Sequence, residues 1–200
     1  MAENRVVVEA TLAAQLAPFI GSCIGFLDFE TIIRAIPVWQ DMFPWQQAAA
    51  QFSYHERQPD GTYTHVGYLA EGPHDARPPL AAAMVRATAN AERVVTYTAF
   101  EKTRIRDLQR AVPELAPQLA ALEAKLIDLH PVVKNCVYHP DFRGSFSLKD
   151  ILTPLVPFVA DKIPRHERDR VRQDLLDYCQ RDTWAMVKLV ERLRELARVD

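Results

Sequence analysis

Residues 23–30 read Cys-Ile-Gly-Phe-Leu-Asp-Phe-Glu, a short apolar run with two acidic residues near its end. A run of this length and composition predicts a buried strand. Side chains at positions i and i+2 of a strand point to the same face, so Asp28 and Glu30 share one side of it. An ionised carboxylate in a buried strand is costly unless it is paired, hydrogen-bonded or metal-bound. The alternative is that Glu30 lies past the strand end and Asp28 caps the next turn.

The rest of the chain predicts an α/β fold of one domain, residues 1–200. Further strands are predicted near 48–56, 64–70 and 93–97, with a hairpin turn at Pro59-Asp60-Gly61 between the first two of these. Helices are predicted at 80–89, 100–111, 113–129, 145–156 and 167–197, with a weak helix in 6–20 and an irregular region at 131–144. A hairpin start followed by a βαβ crossover predicts a mixed central sheet, its first three strands antiparallel, flanked by helices.

The composition sets limits on function. The net charge of −2 argues against a protein held on nucleic acid by a global basic field, although local patches remain open. The three cysteines lack metal-site spacing and are interpreted as reduced, buried thiols, which predicts a cytoplasmic protein. No segment approaches the roughly 18 uninterrupted apolar residues of a membrane helix, so no membrane association is predicted.

A second buried acid is predicted on the last helix. Asp182 falls within an apolar stripe at helical spacing that contains Leu175, Cys179, Met186, Leu189 and Leu193. Tyr178 precedes Asp182 by one turn and is its neighbour on the helix surface. An aspartate in such a stripe needs a partner, which is either a site or a salt bridge to an arginine on a neighbouring element.

Glu101 follows the fourth predicted strand and has two interpretations. Thr98-Ala99-Phe100-Glu101 fits a capping box, with Thr98 as the N-cap and Glu101 at the third helical position. A carboxylate at a strand end also suits an active site. The residues themselves leave both interpretations open.

Together these residues resemble the DEDD superfamily of RNase H-like 3′–5′ exonucleases, the DnaQ-like enzymes. Asp28-Phe29-Glu30 is similar to the first motif, and Tyr178 to Asp182 matches Tyr-x-x-x-Asp, the third. The second motif, Asn-x-x-Phe-Asp, resembles residues 97–101, with Tyr97 in place of asparagine and Glu101 in place of aspartate. More closely, residues 26 to about 193 resemble the DUF2779 family, an RNase H-like group in which glutamate at the second motif looks usual.

The resemblance implies a metal-dependent nuclease acting on DNA or RNA. Asp28, Glu30, Glu101 and Asp182 are the implied ligands of two Mg²⁺ or Mn²⁺ ions around a scissile phosphate, and Tyr178 orients the attacking water. Implied substrate contacts are Phe29, Thr31, Thr98 and Lys149. Such domains commonly lie beside a RecB-like nuclease region, so this chain is also interpreted as a piece of a longer protein.

Two alternatives stay open at this stage. One is a nucleic-acid-binding module on the same fold with a weak or inactive site, which the altered second motif favours. The other is an interaction domain that positions a neighbouring nuclease, with the long last helix as its docking surface.

Overall fold

The computed structural model describes residues 5–156 and 168–198. In chain order its elements are β1 (Val7–Val8), α1 (Leu12–Leu16), β2 (Ile24–Ile33), β3 (Gln47–Arg57), β4 (Tyr63–Leu69), α2 (Arg77–Ala87), β5 (Arg93–Thr96), α3 (Phe100–Ala111), α4 (Ala116–Lys125), β6 (Leu126–Asp128), α5 (His130–Cys136), β7 (Val137–Tyr138), α6 (Leu148–Leu155) and α7 (Arg168–Ala197). Short 3₁₀ turns occupy Ala17–Phe19, Pro113–Leu115 and Pro140–Phe142.

Five strands form a mixed sheet in the order β4-β3-β2-β5-β6. Strands β2, β3 and β4 pair antiparallel, whereas β5 and β6 run parallel to β2. The hairpin between β3 and β4 closes where Asp60 accepts a hydrogen bond from the Thr62 backbone N–H at 2.9 Å. The predicted α/β class, with its antiparallel first three strands, is confirmed.

The structure differs from the sequence-based expectation between residues 113 and 144. The predicted helix 113–129 ends at Lys125, and Leu126–Asp128 forms a strand at the sheet edge instead. Three residues carry too little periodicity to distinguish a strand from a helix end, so pairing with β5 decides the conformation. The predicted irregular region contains α5 and β7, and β7 pairs with β1.

Each face of the sheet is covered by its own group of helices. On one face, α2, α3 and α4 pack on a core that includes Leu27, Phe29 and Phe52. On the other face, α1, α5, α6 and α7 pack on a core that includes Phe26. Because side chains alternate along β2, the acidic side chain of Asp28 falls on the same face as Phe26, beneath α7.

Gly25 allows close contact between β2 and β3. A Cβ atom there would lie 2.3 Å from the Cε2 atom and 2.3 Å from the hydroxyl of Tyr54, whose ring is 1% exposed. We expect Gly25→Ala to lower the free energy of unfolding by about 1–3 kcal/mol, because the buried ring must move. Urea denaturation measures this. Gly67→Ala is the control, since its Cβ would meet no atom closer than 3.4 Å; equal effects of the two substitutions would contradict the expectation.

Candidate metal centre

Three acids from two elements meet on the face of the sheet beneath α7. One carboxylate oxygen each from Asp28, Glu30 and Asp182 can be chosen so that all three lie within 4.8 Å of one another. Asp28 and Glu30 share this face because they are two residues apart on β2, while α7 crosses β2 and β3 and brings Asp182 over them. All three side chains are partly buried.

Glu101 joins this cluster from the first turn of α3, which follows β5. The pairing of β5 with β2 ends at Phe26 and Val95. The first turn of α3 therefore occupies the position beside Asp28. The Glu101 side chain is 3% exposed, and its carboxyl group lies at hydrogen-bonding distance from that of Asp28, a contact that requires one of the acids to carry a proton. Its Oε2 atom is buried and finds no hydrogen-bond partner among the described residues.

The capping box proposed for residues 98–101 is not formed. The N-cap of α3 is Ala99, and the Thr98 hydroxyl accepts a hydrogen bond from the Phe100 N–H at 3.3 Å and not from that of Glu101. Thr98 instead has a φ of 101°, a left-handed conformation that is rare for a threonine, and its backbone N–H donates to Asp128 Oδ1 at 2.9 Å. Glu101 is therefore free to point into the acidic cluster.

Burial and mutual repulsion disfavour the ionised forms of the four acids. Burial, with the charges of Asp182 and Glu30, raises the pKa of Asp28 from 3.8 to about 7. Burial, with the charge of Asp28, raises the pKa of Glu101 from 4.5 to about 8. Burial also raises the pKa of Glu30 and of Asp182. At neutral pH the cluster therefore holds protons that a bound cation would displace.

Lys149 and Tyr178 form the open side of the cluster. The Lys149 ammonium group lies over the Tyr178 ring, 5.1 Å from its centroid. The Lys149 charge opposes the rise in the pKa of Glu30 and of Asp182, and the Tyr178 hydroxyl adds a hydrogen bond to Asp182. Tyr178 is 37% exposed, so its side chain is not part of the core.

A cleft of about 380 Å³ leads to these acids. Asp28 and Asp182 line it together with Tyr97, Thr98 and Ser147, among others. The Tyr97 hydroxyl donates to the Phe146 carbonyl at 2.7 Å, which fixes the wall of the cleft. Thr98, an expected substrate contact, lies in the wall of the cleft. Lys149, another expected contact, lies close enough to Glu30 and Asp182 to affect their pKa values.

Asp128, an acid in another apolar run, has a structural role. Its Oδ1 atom accepts hydrogen bonds from the backbone N–H groups of Thr98 and His130, each at 2.9 Å. These bonds hold the connection after β5 that leads to Glu101. Asp128 therefore positions backbone at the cleft.

Phe29, an expected substrate contact, has its side chain on the far face of the sheet from the acids. Phe29 is 4% exposed and packs with Leu27 and Phe52 in the core beneath α2 and α3, on the face opposite to Asp28. The alternation of side chains along β2 is the physical reason. Thr31 follows Glu30 on β2 and is half-buried, beside a β-bulge that shifts the register with β3.

Cys179 and Thr183 are site-adjacent residues that sequence reasoning did not assign. The Cys179 Sγ atom lies 3.9 Å from Asp28 Oδ2. Thr183 Oγ1 is 2.7 Å from the hydroxyl of Ser53, the residue opposite Asp28 on β3. Cys179 belongs to the apolar stripe predicted for α7, whereas the contacts of both residues with β2 and β3 depend on the fold.

The donor set fits a hard divalent cation. All the groups gathered here offer carboxylate oxygens, which suit Mg²⁺ and Mn²⁺ rather than Zn²⁺. The buried Glu101 Oε2 is an acceptor that no described donor satisfies. A buried acceptor of this kind is costly, and a cation would satisfy it.

Fold and site together define an α/β protein with an acidic candidate metal centre on one face of a mixed sheet, between β2 and α7. Residues 25–147 match the family described as Domain of unknown function (DUF2779), and the chain belongs to that family. The match contains Asp28, Glu30 and Glu101 and ends before α7, which carries Tyr178 and Asp182.

The other comparisons identify no relative. No curated protein and no solved structure matches the chain. Within the described residues, none of the helices has the combination of length and apolar character that crossing a membrane needs.

Proposed function

We propose that the protein is a metal-dependent nuclease that hydrolyses phosphodiester bonds of DNA or RNA, acting as a 3′–5′ exonuclease. The convergence of four acids from β2, α3 and α7 carries the proposal. One carboxylate oxygen each of Asp28, Glu30 and Asp182 lies within 4.8 Å of the other two, and Glu101 contacts Asp28 and has a buried oxygen that no described donor satisfies. Acids separated by up to about 150 residues of chain meet here at a cost in repulsion that a cation would remove.

The fold is consistent with this proposal. A mixed sheet that begins with three antiparallel strands and is flanked by helices is what the resemblance to RNase H-like nucleases implies. The three motifs of that resemblance occur on β2, at the start of α3 and on α7. Because a fold alone does not determine function, the site chemistry remains the main support.

Each residue of the centre has a definite role in the proposed reaction. Asp28, Glu30, Glu101 and Asp182 would hold two Mg²⁺ or Mn²⁺ ions. When bound, such ions supply water activation and neutralise charge on the phosphate and the leaving oxygen. The Tyr178 hydroxyl, beside Asp182, orients the attacking water. Lys149, an exposed cation at the cluster, binds a substrate phosphate.

A second candidate function is nucleic-acid binding with weak or no catalysis. The contact between Asp28 and Glu101 favours it, because a metal must displace a proton held by two acids whose pKa values lie near or above 7. Mn²⁺ titration by calorimetry separates the two functions. A nuclease binds Mn²⁺ at pH 8 and loses this binding with Asp182→Asn, whereas a metal-free binding module shows no Mn²⁺ binding.

End-labelled substrates test the nuclease proposal directly. We expect the purified protein to shorten single-stranded DNA or RNA from the 3′ end with Mn²⁺ or Mg²⁺ and to do nothing in EDTA. Asp182→Asn should lower the rate by more than about a hundredfold, because an essential ligand is lost. The control is Glu195→Gln, an exposed acid on the same helix that pairs with Arg192. Cleavage that persists in EDTA, or with Asp182→Asn, would overturn the proposal.

A further inference from the structure

A second pocket lies on the other side of α7 from the metal centre. It has a volume of about 550 Å³ and is lined by His55, Tyr63, His65, Asp177, Gln180, Arg181 and Trp184. Successive residues of a helix are rotated by about 100°, so Trp184 points roughly 200° away from Asp182. The two sites are therefore separated by the helix itself.

The floor and wall of this pocket are aromatic rings. The His55 ring is 4.5 Å from that of His65 and 5.4 Å from that of Trp184, measured between centroids. Tyr63 meets Trp184 edge to face at 5.4 Å. Burial lowers the pKa of His55 to about 4 and also lowers the pKa of His65, so both rings are neutral at pH 7. Neutral rings of this kind stack on planar heterocycles.

A chain of hydrogen bonds beneath α7 fixes the two histidines. Thr183 Oγ1 is 2.8 Å from His55 Nδ1, and Ser53 Oγ is 2.9 Å from His65 Nε2. The two hydroxyl groups are 2.7 Å apart, which joins both rings into one network. Each histidine thus uses one ring nitrogen to hold its orientation. A pocket whose rings are held in place loses little entropy when a ligand binds.

The rim of the pocket carries polar groups of a different kind. Arg181 is exposed, and its guanidinium forms no ion pair with any residue that the structure describes. Gln180, also exposed, adds an amide next to it. A free guanidinium beside an aromatic floor suits a ligand that combines a planar ring with an anionic group.

We propose that this pocket binds a nucleotide, with the base on the rings of His55, His65 and Trp184 and the phosphate on Arg181. The size agrees, because small-molecule sites of about 300–1,000 Å³ are usual. A free nucleotide and a nucleotide within a strand share this chemistry. The site uses none of the acids of the metal centre, so it stands independently of the nuclease proposal.

Fluorescence of Trp184 tests the proposal in the absence of metal. The chain has three tryptophans, so a background with Trp39→Phe and Trp45→Phe leaves Trp184 as the reporter. In EDTA we expect saturable quenching by adenosine 5′-monophosphate and, more weakly, by adenosine. Arg181→Gln should weaken binding of the monophosphate about tenfold and leave adenosine unchanged, since one charge-assisted contact is lost. Arg192→Gln, an arginine of the same helix outside the pocket, is the matched control.

A second variant tests the aromatic part of the site. His65→Ala removes an exposed ring and should weaken adenosine and the monophosphate alike. If an oligonucleotide quenches at lower concentration than the monophosphate, the site is supported and its ligand is a nucleic-acid strand. If the monophosphate quenches at lower concentration, the site is supported and its ligand is a free nucleotide. Absence of quenching by all three, or equal binding of ribose 5-phosphate, would overturn the proposal, whatever the nuclease assay shows.

Discussion

Asp28→Asn is expected to abolish metal-dependent cleavage and at the same time to stabilise the metal-free protein at pH 8. Asparagine keeps the shape of the side chain but cannot be ionised. It therefore removes the charge that burial and the neighbouring Asp182 and Glu30 oppose. It also removes a ligand from the centre. We expect cleavage to fall by more than about a hundredfold, and the free energy of unfolding to rise by on the order of 1 kcal/mol.

The contrast with a structural aspartate makes this prediction specific. Asp128→Ala deletes the acceptor of two backbone N–H groups, so we expect it to lower the free energy of unfolding by about 1–3 kcal/mol. Urea denaturation in EDTA measures both variants, and the end-labelled assay with Mn²⁺ measures cleavage. If Asp28→Asn destabilised the protein as Asp128→Ala does, with cleavage reduced only in proportion to the folded fraction, Asp28 would be a structural residue.

The long elements of the sheet could be predicted because each carries its own local signal. Strand β2 opens on the apolar run 24–27, β3 alternates apolar and polar residues around Phe52 and Tyr54, and the turn before β4 has the Pro-Asp-Gly signature. The edge strand β6 has no such signal. Its three residues continue the apolar character of α4, and only pairing with β5 makes them extended.

Part of the acidic centre could be predicted from the alternation of side chains along a strand. The same rule that places Asp28 and Glu30 on one face places Phe29 on the other, in the core beneath α2 and α3. The substrate contact of Phe29 is implied by the family resemblance alone and stays a prediction. Glu101 is different, because both a capping box and a site fit the sequence. The structure decides between them, because the pairing of β5 with β2 ends before Asp28 and leaves room for Glu101. This contact is tertiary, so the local sequence does not define it.

The pocket behind α7 could not be predicted from the sequence at all. His55, His65 and Trp184 come from three elements, and none is unusual where it stands in the chain. The antiparallel register of β3 and β4 places the two histidines opposite each other, and α7 supplies the tryptophan. Ring clusters of this kind depend on register and helix rotation, which local patterns do not define.

Stability of the metal-free protein should fall as pH rises from about 4 to about 8, and Mn²⁺ should reverse this fall. The folded pKa values of Asp28 and Glu101, about 7 and about 8, lie above their ordinary values of 3.8 and 4.5. Between about pH 4 and pH 8 the folded protein therefore binds more protons than the unfolded chain. The stability that protonation provides is therefore complete below about pH 4 and is lost as pH passes through the folded pKa values.

Thermal unfolding at pH 5 to 8, with Mn²⁺ or EDTA, measures this linkage. Ligand acids must release their protons before a cation binds, so the increase in melting temperature caused by Mn²⁺ should grow from pH 6 to pH 8. Glu101→Gln removes one of the two proton-holding acids and should flatten the pH dependence in EDTA. Glu195→Gln, an exposed acid, should leave it unchanged. An Mn²⁺ effect that is the same at every pH would show that the ion binds elsewhere, because only acids holding protons at neutral pH couple its binding to pH in this range.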